Sequence, residues 1–192
     1  MPEPNEAALR FLLTRRSRPV RMLRAPAPDR AALRPLLQAA LRTPDHGKLE
    51  PWRLMVLERP ALARLAGLVA ECGTRLGRPS GDIAKARAAF DDSPLAVAVI
   101  EVQRPPDKVP PIEQSASAAC VCLGLLNAAL AAGWGANWLT GWVAHDRDFM
   151  TAALALASHE RIAGFIHVGT ETAAPPDRPR PDVDTLTTWV RE

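Results

Sequence analysis

Three short segments carry side chains whose types and spacing suit chemistry. Arg15-Arg16-Ser17 sets two guanidinium forks beside a hydroxyl. That combination coordinates a phosphate or carboxylate through charge-assisted hydrogen bonds. As a plain helix end, the same arginines would simply complement the C-terminal dipole. Arg42-Thr43-Pro44-Asp45-His46-Gly47-Lys48 presents acid, imidazole and amine on one polar loop. His46 there offers a neutral N–H or a charge near neutrality. Trp138-Leu139-Thr140-Gly141-Trp142 puts wide aromatics beside a hydroxyl and a glycine, a wall for a flat ligand. On the residues alone, a strand whose tryptophans fill the core is the better reading of that third segment.

Other chemistries are disfavoured. Gly133-Trp134-Gly135-Ala136-Asn137-Trp138 opens like a dinucleotide fingerprint, but Trp138 stands at the third glycine. Its order is also helix–turn–strand, where the fingerprint needs strand–turn–helix. Cys120 and Cys122 sit two apart on a helix and point roughly 200° apart, so they do not share a metal. His46, His145, His159 and His167 lack metal-ligand spacing, and no protein-borne nucleophile stands out. No metal is therefore expected. Any redox or transfer chemistry falls to a cofactor.

The charge is lopsided: residues 1–48 hold 10 basic and 4 acidic side chains, while the whole chain carries only +3. An anionic partner follows. Nucleic acid is disfavoured, because only Phe11 interleaves the eight arginines from Arg10 to Arg34 and no DNA- or RNA-binding motif accompanies them. The opening residues show neither a basic nor an apolar leader segment, which points to the cytoplasm. Ala116 to Ala132 is too short and too rich in small residues for a bilayer span, so it reads as a buried helix and no membrane partner is expected.

These segments need elements to hold them. Asn5 caps a helix over 6–15 with Ala8, Leu9, Leu12 and Leu13 on one face. An irregular arm with three prolines covers 17–28. Asp29 caps a helix over 29–42, which Pro35 is placed to kink. Strands are expected over 53–58, 95–102, 136–143 and 161–168. Helices are expected over 60–76, 82–90, 112–132 and 146–157, with loops at 43–51 and 105–111 and an irregular, proline-rich segment over 173–181. Strands separated by helices read as an α/β arrangement.

In chain order the motifs form a resemblance. R-R-S follows the first helix, R-T-P-D-H…P-W the second, and Glu113-Gln114 opens the long small-residue helix. W-x-T-G comes after it, and G-F-I-H-V-G-T lies near the end. From about Leu9 to Trp189 this resembles the flavin-dependent nitroreductase family, most closely its short, minimal-length branch of NAD(P)H nitroreductases.

The resemblance implies one α+β domain over residues 1–192, a three-layer fold with a central, mostly antiparallel sheet flanked by helices. Residues 1–28 would be its N-terminal helix and basic arm, and 173–192 its Pro-rich tail. It implies a homodimer with FMN held non-covalently at the subunit interface. Arg15, Arg16 and Ser17 match the segment that contacts the flavin's phosphate and ribityl chain. Arg42 and His46 match the family's pair on the flavin, and Trp138, Leu139 and Thr140 the segment along the isoalloxazine face. The implied reaction is ping-pong: hydride from NAD(P)H to flavin N5, then electrons to a nitroaromatic, a quinone or a similar small oxidant. No catalytic side chain is implied.

Departures from the pattern are the longer arm with Arg18, Pro19 and Arg21, Glu50 where Gln is usual before Pro-Trp, and Leu139 in place of a polar or basic residue. Glu50 and Leu139 motivate an alternative, a flavin-binding protein without nicotinamide turnover: a carrier, a sensor or a flavin-modifying enzyme. Arg178 and Arg180 in the tail are further phosphate candidates that the sequence does not favour.

Overall fold

The computed structural model describes residues 3–105 and 109–192; part of the loop expected over 105–111 therefore lies outside the described residues. Five strands form one sheet: β1 (Leu23–Arg24), β2 (Trp52–Leu57), β3 (Leu95–Val102), β4 (Gly135–Leu139) and β5 (Glu160–Glu171). β5 is the spine. It pairs with β3 on one edge and with β4 on the other, and β1 pairs with its C-terminal end. β2 lies outside β3. Every pairing is antiparallel. The helix–strand alternation therefore misled the α/β reading, and the α+β expectation holds. The cause is topological. β3 and β4 run the same way, but β5 is inserted between them, so the helical crossover joins strands that never pair.

β3 is buried along its whole length, because both faces of the sheet are covered. Ala96, Ala98 and Ile100 face α3 (Arg59–Arg75), α4 (Ser80–Asp91) and α6 (Arg147–Leu154), with Phe90, Phe149 and Phe165 in that layer. Leu95, Val97 and Val99 face α2 (Arg30–Ala40) and α5 (Pro111–Ala131). α5 is long and apolar enough to cross a membrane, but its Val121, Cys122, Leu125 and Ala129 are buried against the sheet, as expected of a core helix. α2 runs through Pro35 as one helix.

Three further expectations change. The arm expected to be irregular over 17–28 contributes β1, paired with the end of β5. The strand expected over 136–143 ends at Leu139, whose partner Phe165 is the last rung. Gly141 then takes φ +68°, a turn that L side chains rarely adopt, and Trp142 opens a short 3-10 helix under the Arg78 guanidinium. α1 (Glu6–Thr14) has its apolar stripe but buries none of it: Leu9, Leu12 and Leu13 are exposed.

Candidate functional site

α1 ends where the Arg15 amide donates to Phe11 O at 2.8 Å, and the chain continues extended. Three contacts then fix the arm to the sheet. The Arg18 amide donates to Ala136 O at 2.8 Å, Asn137 Nδ2 donates to Arg18 O at 2.9 Å, and the Arg18 guanidinium pairs closely with Glu171. Arg18 thus has a positioning job, aided by its bond to Arg16 O at 2.7 Å.

This anchoring leaves Arg15, Arg16 and Ser17 around a cavity of about 340 Å³, and the tail brings Arg178 and Arg180 to the same cavity. Arg15 Nη2 donates to Ser17 Oγ at 3.1 Å, while the Nε atoms of Arg15 and Arg16 are buried without partners. Burial first, then Arg180 and Arg16, pushes the Arg15 guanidinium below its ordinary pKa. Four arginines line the cavity, two of them with buried donors to spare, and no carboxylate is among the lining residues; that set suits an anion. The tail arginines, disfavoured in sequence, belong to this cradle.

A second cavity of about 360 Å³ shares Pro19 and Asn137 with the cradle. A third, of about 280 Å³, shares Lys85, Ala89 and Leu139 with the second. Together they form a trough from the arginines to an apolar compartment beside Leu139, Thr140 and Gly141.

Strand alternation decides which β4 side chains reach it. Asn137 and Leu139 pair with His167 and Phe165, on the α4 side. Trp138 pairs with Ile166 and faces α5. Its indole lies against Gly164 so closely that a Cβ there would come within 2.1 Å of Nε1 and 3.1 Å of Cys122 Sγ. Trp138 lines none of the three cavities. Its side chain is partly buried and packs against the α5-side core cluster, whereas Leu139 and Thr140 do face the trough.

Arg42 and His46 also line none of these cavities. They stand on the loop after α2, which α5 holds in place. His46 Nδ1 lies 2.7 Å from Glu113 Oε2, and Ser117 Oγ donates to Pro44 O at 2.9 Å while accepting from Trp52 Nε1 at 3.1 Å. The Glu50 amide donates to Asp45 Oδ2 at 2.7 Å. Lys48 and Glu50 adopt φ +53° and +46°, left-handed backbone that costs energy for non-glycine residues. The loop is thus tied to α5 and exposed, and Arg42 and His46 line none of the three cavities.

Sequence reasoning missed Asn137, Lys85 and His167 as trough residues. Lys85 lies in the helix expected over 82–90, which carries no candidate site residue. His167 stands in the G-F-I-H-V-G-T segment without a role assigned to it; it is buried, and burial pulls its imidazole down to about 4, so it is neutral. Only the strand register, which no local motif encodes, could have flagged Asn137 and His167.

The model of the nitroreductase family matches residues 12–170 of this chain. A protein of Escherichia coli (strain K12) named "Putative NAD(P)H nitroreductase YdjA" is 32% identical over 163 residues, covering 85% of this chain and 87% of its own. Among solved structures, a nitroreductase-like protein from Bacillus cereus superposes with a TM-score of 0.77 at 23% identity, over 99% of this chain and 98% of its own. An FMN-dependent nitroreductase from Clostridium difficile R20291 gives 0.67 at 20% identity, over 95% of this chain and 98% of its own. At these identities the two structures speak for the fold.

Proposed function

The chain belongs to the nitroreductase family, and from that premise we propose that it is an FMN-dependent oxidoreductase. In this reading it takes hydride from NAD(P)H and reduces a nitroaromatic, a quinone or a similar small oxidant by a ping-pong mechanism in the cytoplasm.

The observation that carries the reading is the trough. A flavin mononucleotide needs an anion site at one end and an apolar slot at the other. The four-arginine cradle and the compartment beside Leu139 stand in that order, joined by a cavity that both share residues with. The partnerless Nε atoms of Arg15 and Arg16 fit a phosphate. Arg15, Arg16, Ser17, Arg178 and Arg180 would hold that phosphate, and Asn137 would sit beside the ribityl chain. Leu139 and Thr140 would lie against the ring. When bound, FMN supplies the two-electron chemistry at N5; the chain supplies binding, orientation and exclusion of water. Lys85, at the junction of the second and third cavities, would favour extra negative charge on the ring.

The exposed loop with Arg42 and His46 completes the reading as a homodimer. Tied to α5 and lining none of its own chain's three cavities, it suits the trough of a second copy. The exposed stripe of α1 and the exposed tail residues Val183, Leu186, Trp189 and Val190 offer apolar surface for that contact.

Steady-state kinetics test the reaction. Varying NADPH at several fixed concentrations of a nitroaromatic should give parallel double-reciprocal lines. Intersecting lines would remove the ping-pong assignment. Flavin-loaded protein that neither NADH nor NADPH reduces would favour the flavin carrier or sensor.

A further inference from the structure

The loop that carries Arg42 and His46 is tied to α5 at two points of different character. Glu113 and Ser117 stand four residues apart on α5, and so on one face of it. Ser117 fixes the loop's backbone: its Oγ donates to Pro44 O at 2.9 Å and is itself held by Trp52 Nε1 at 3.1 Å. Glu113 holds only a side chain, with Oε2 2.7 Å from His46 Nδ1. Both members of that pair are exposed, and exposed pairs contribute little to stability. Ser117 and the bond from the Glu50 amide to Asp45 already fix the loop. What the Glu113 contact adds is the orientation of the ring.

That orientation has chemical content. An ionised carboxylate only accepts hydrogen bonds, so the ring nitrogen against it is the protonated one, and Nδ1–H donates to Glu113. The bond made by one ring nitrogen sets the state of the other. Nε2 is therefore the ring atom left to meet a ligand, as an acceptor in the neutral ring and a donor in the charged one. Among the described residues, Glu113 is the one hydrogen-bond partner of the His46 ring.

We propose that Glu113 is a positioning residue for the flavin: by engaging Nδ1 it fixes the His46 ring so that Nε2 is the atom offered to FMN in the trough of a second copy. The role of Glu113 rests on the reading of the chain as an FMN-binding homodimer. The state of the ring does not.

Two measurements on the full chain test it. Long-range nitrogen–proton NMR of flavin-free protein at about pH 8.5, above the ordinary histidine range, reads the tautomer, and titration with FMN reads its consequence. Wild type should show His46 in the Nδ1–H form, not the Nε2–H form that an unrestrained imidazole prefers. Glu113→Ala should lose that signature and weaken FMN binding about three- to tenfold, the worth of one hydrogen bond, while flavin-free protein melts at an unchanged temperature. Glu113→Gln, whose amide oxygen still accepts from Nδ1–H, should keep both the signature and the affinity. In a His46→Ala background, Glu113→Ala should cost nothing further, because it acts through the ring. An Nε2–H ring in wild type, unchanged FMN affinity in Glu113→Ala, or additive losses in the double variant would each overturn the proposal. A flavin-free Glu113→Ala protein that melts several degrees lower would make the pair structural instead. Wild type that binds no FMN would remove the flavin reading and the role of Glu113 with it, whereas wild type that binds FMN beside an unaffected Glu113→Ala would remove that role alone.

Discussion

Arg180→Ala separates a cofactor arginine from a structural one, because the two roles move stability in opposite directions. Arg180 and Arg16 both disfavour the charge on Arg15, so the cradle is electrostatically strained without an anion. The remaining contact of Arg180 is to Asp177 Oδ1 at 3.0 Å, an exposed pair three residues apart. Such pairs contribute about 0–1 kcal/mol. Removing Arg180 should therefore leave the melting temperature of flavin-free protein unchanged or slightly raised.

With FMN the balance reverses. One hydrogen bond to a charged group is worth about 1.5–3 kcal/mol, so Kd should rise roughly ten- to hundredfold. At FMN of about 100 times the wild-type Kd, ligand stabilisation is about 2.7 kcal/mol, and a tenfold weaker Kd leaves about 1.4 kcal/mol. For a chain of this size that difference is about 3–5 °C. Thermal melts of wild type and variant, with and without FMN, read both numbers. An FMN-induced shift equal to wild type would refute the placement of Arg180 in the cradle. A flavin-free variant that melts several degrees lower would make it structural instead.

Other expectations follow from single contacts. Gly164→Ala forces a Cβ into the Trp138 indole, which Cys122 backs; overpacking of this kind costs about 1–3 kcal/mol, visible as a lower denaturant midpoint, and an unchanged midpoint would place Trp138 elsewhere. Glu160 is held down to about 2, chiefly by the Arg53 guanidinium at 2.6 and 2.9 Å. Its stabilising share is present above the unfolded carboxylate pKa of about 4.3, and is lost as pH falls toward 2; Glu160→Gln should flatten that part of the stability profile. His167 adds acid sensitivity at higher pH, because its imidazole, at about 4 when folded, charges first in the unfolded chain near pH 6.5. His167→Phe should remove the loss of stability between those values, read from urea melts at pH 7.0 and 5.0. Finally, if Arg42 serves the trough of a second copy, Arg15→Ala and Arg42→Ala should each lose FMN, and mixed dimers of the two should regain one intact site; no recovery on mixing would put both residues on one subunit's site.

Much of this was legible locally. Asn5 and Asp29 accept from the Ala8 and Ala32 amides, as their positions before apolar stripes suggested. The continuous apolar run of β3 announced a strand buried on both faces. Arg15, Arg16 and Ser17 share a cavity as their adjacency implied. What sequence could not give depended on register and on long-range return of the chain. Trp138 and Leu139 are neighbours in sequence but on opposite faces of β4, so one packs on the α5 side and the other lines the trough. Arg178 and Arg180 lie more than 160 residues after Arg15, on a proline-rich tail without periodicity. The α/β reading failed because alternation of helix and strand does not say which strands pair.

The account stands or falls on the flavin. Absorbance spectra of the purified protein, reconstituted with FMN, freed of unbound flavin and then mixed anaerobically with NADPH, address it most directly. The expected result is a yellow protein with one FMN per chain whose visible bands bleach on adding NADPH. A colourless protein that FMN neither binds nor stabilises would contradict the reading of the trough.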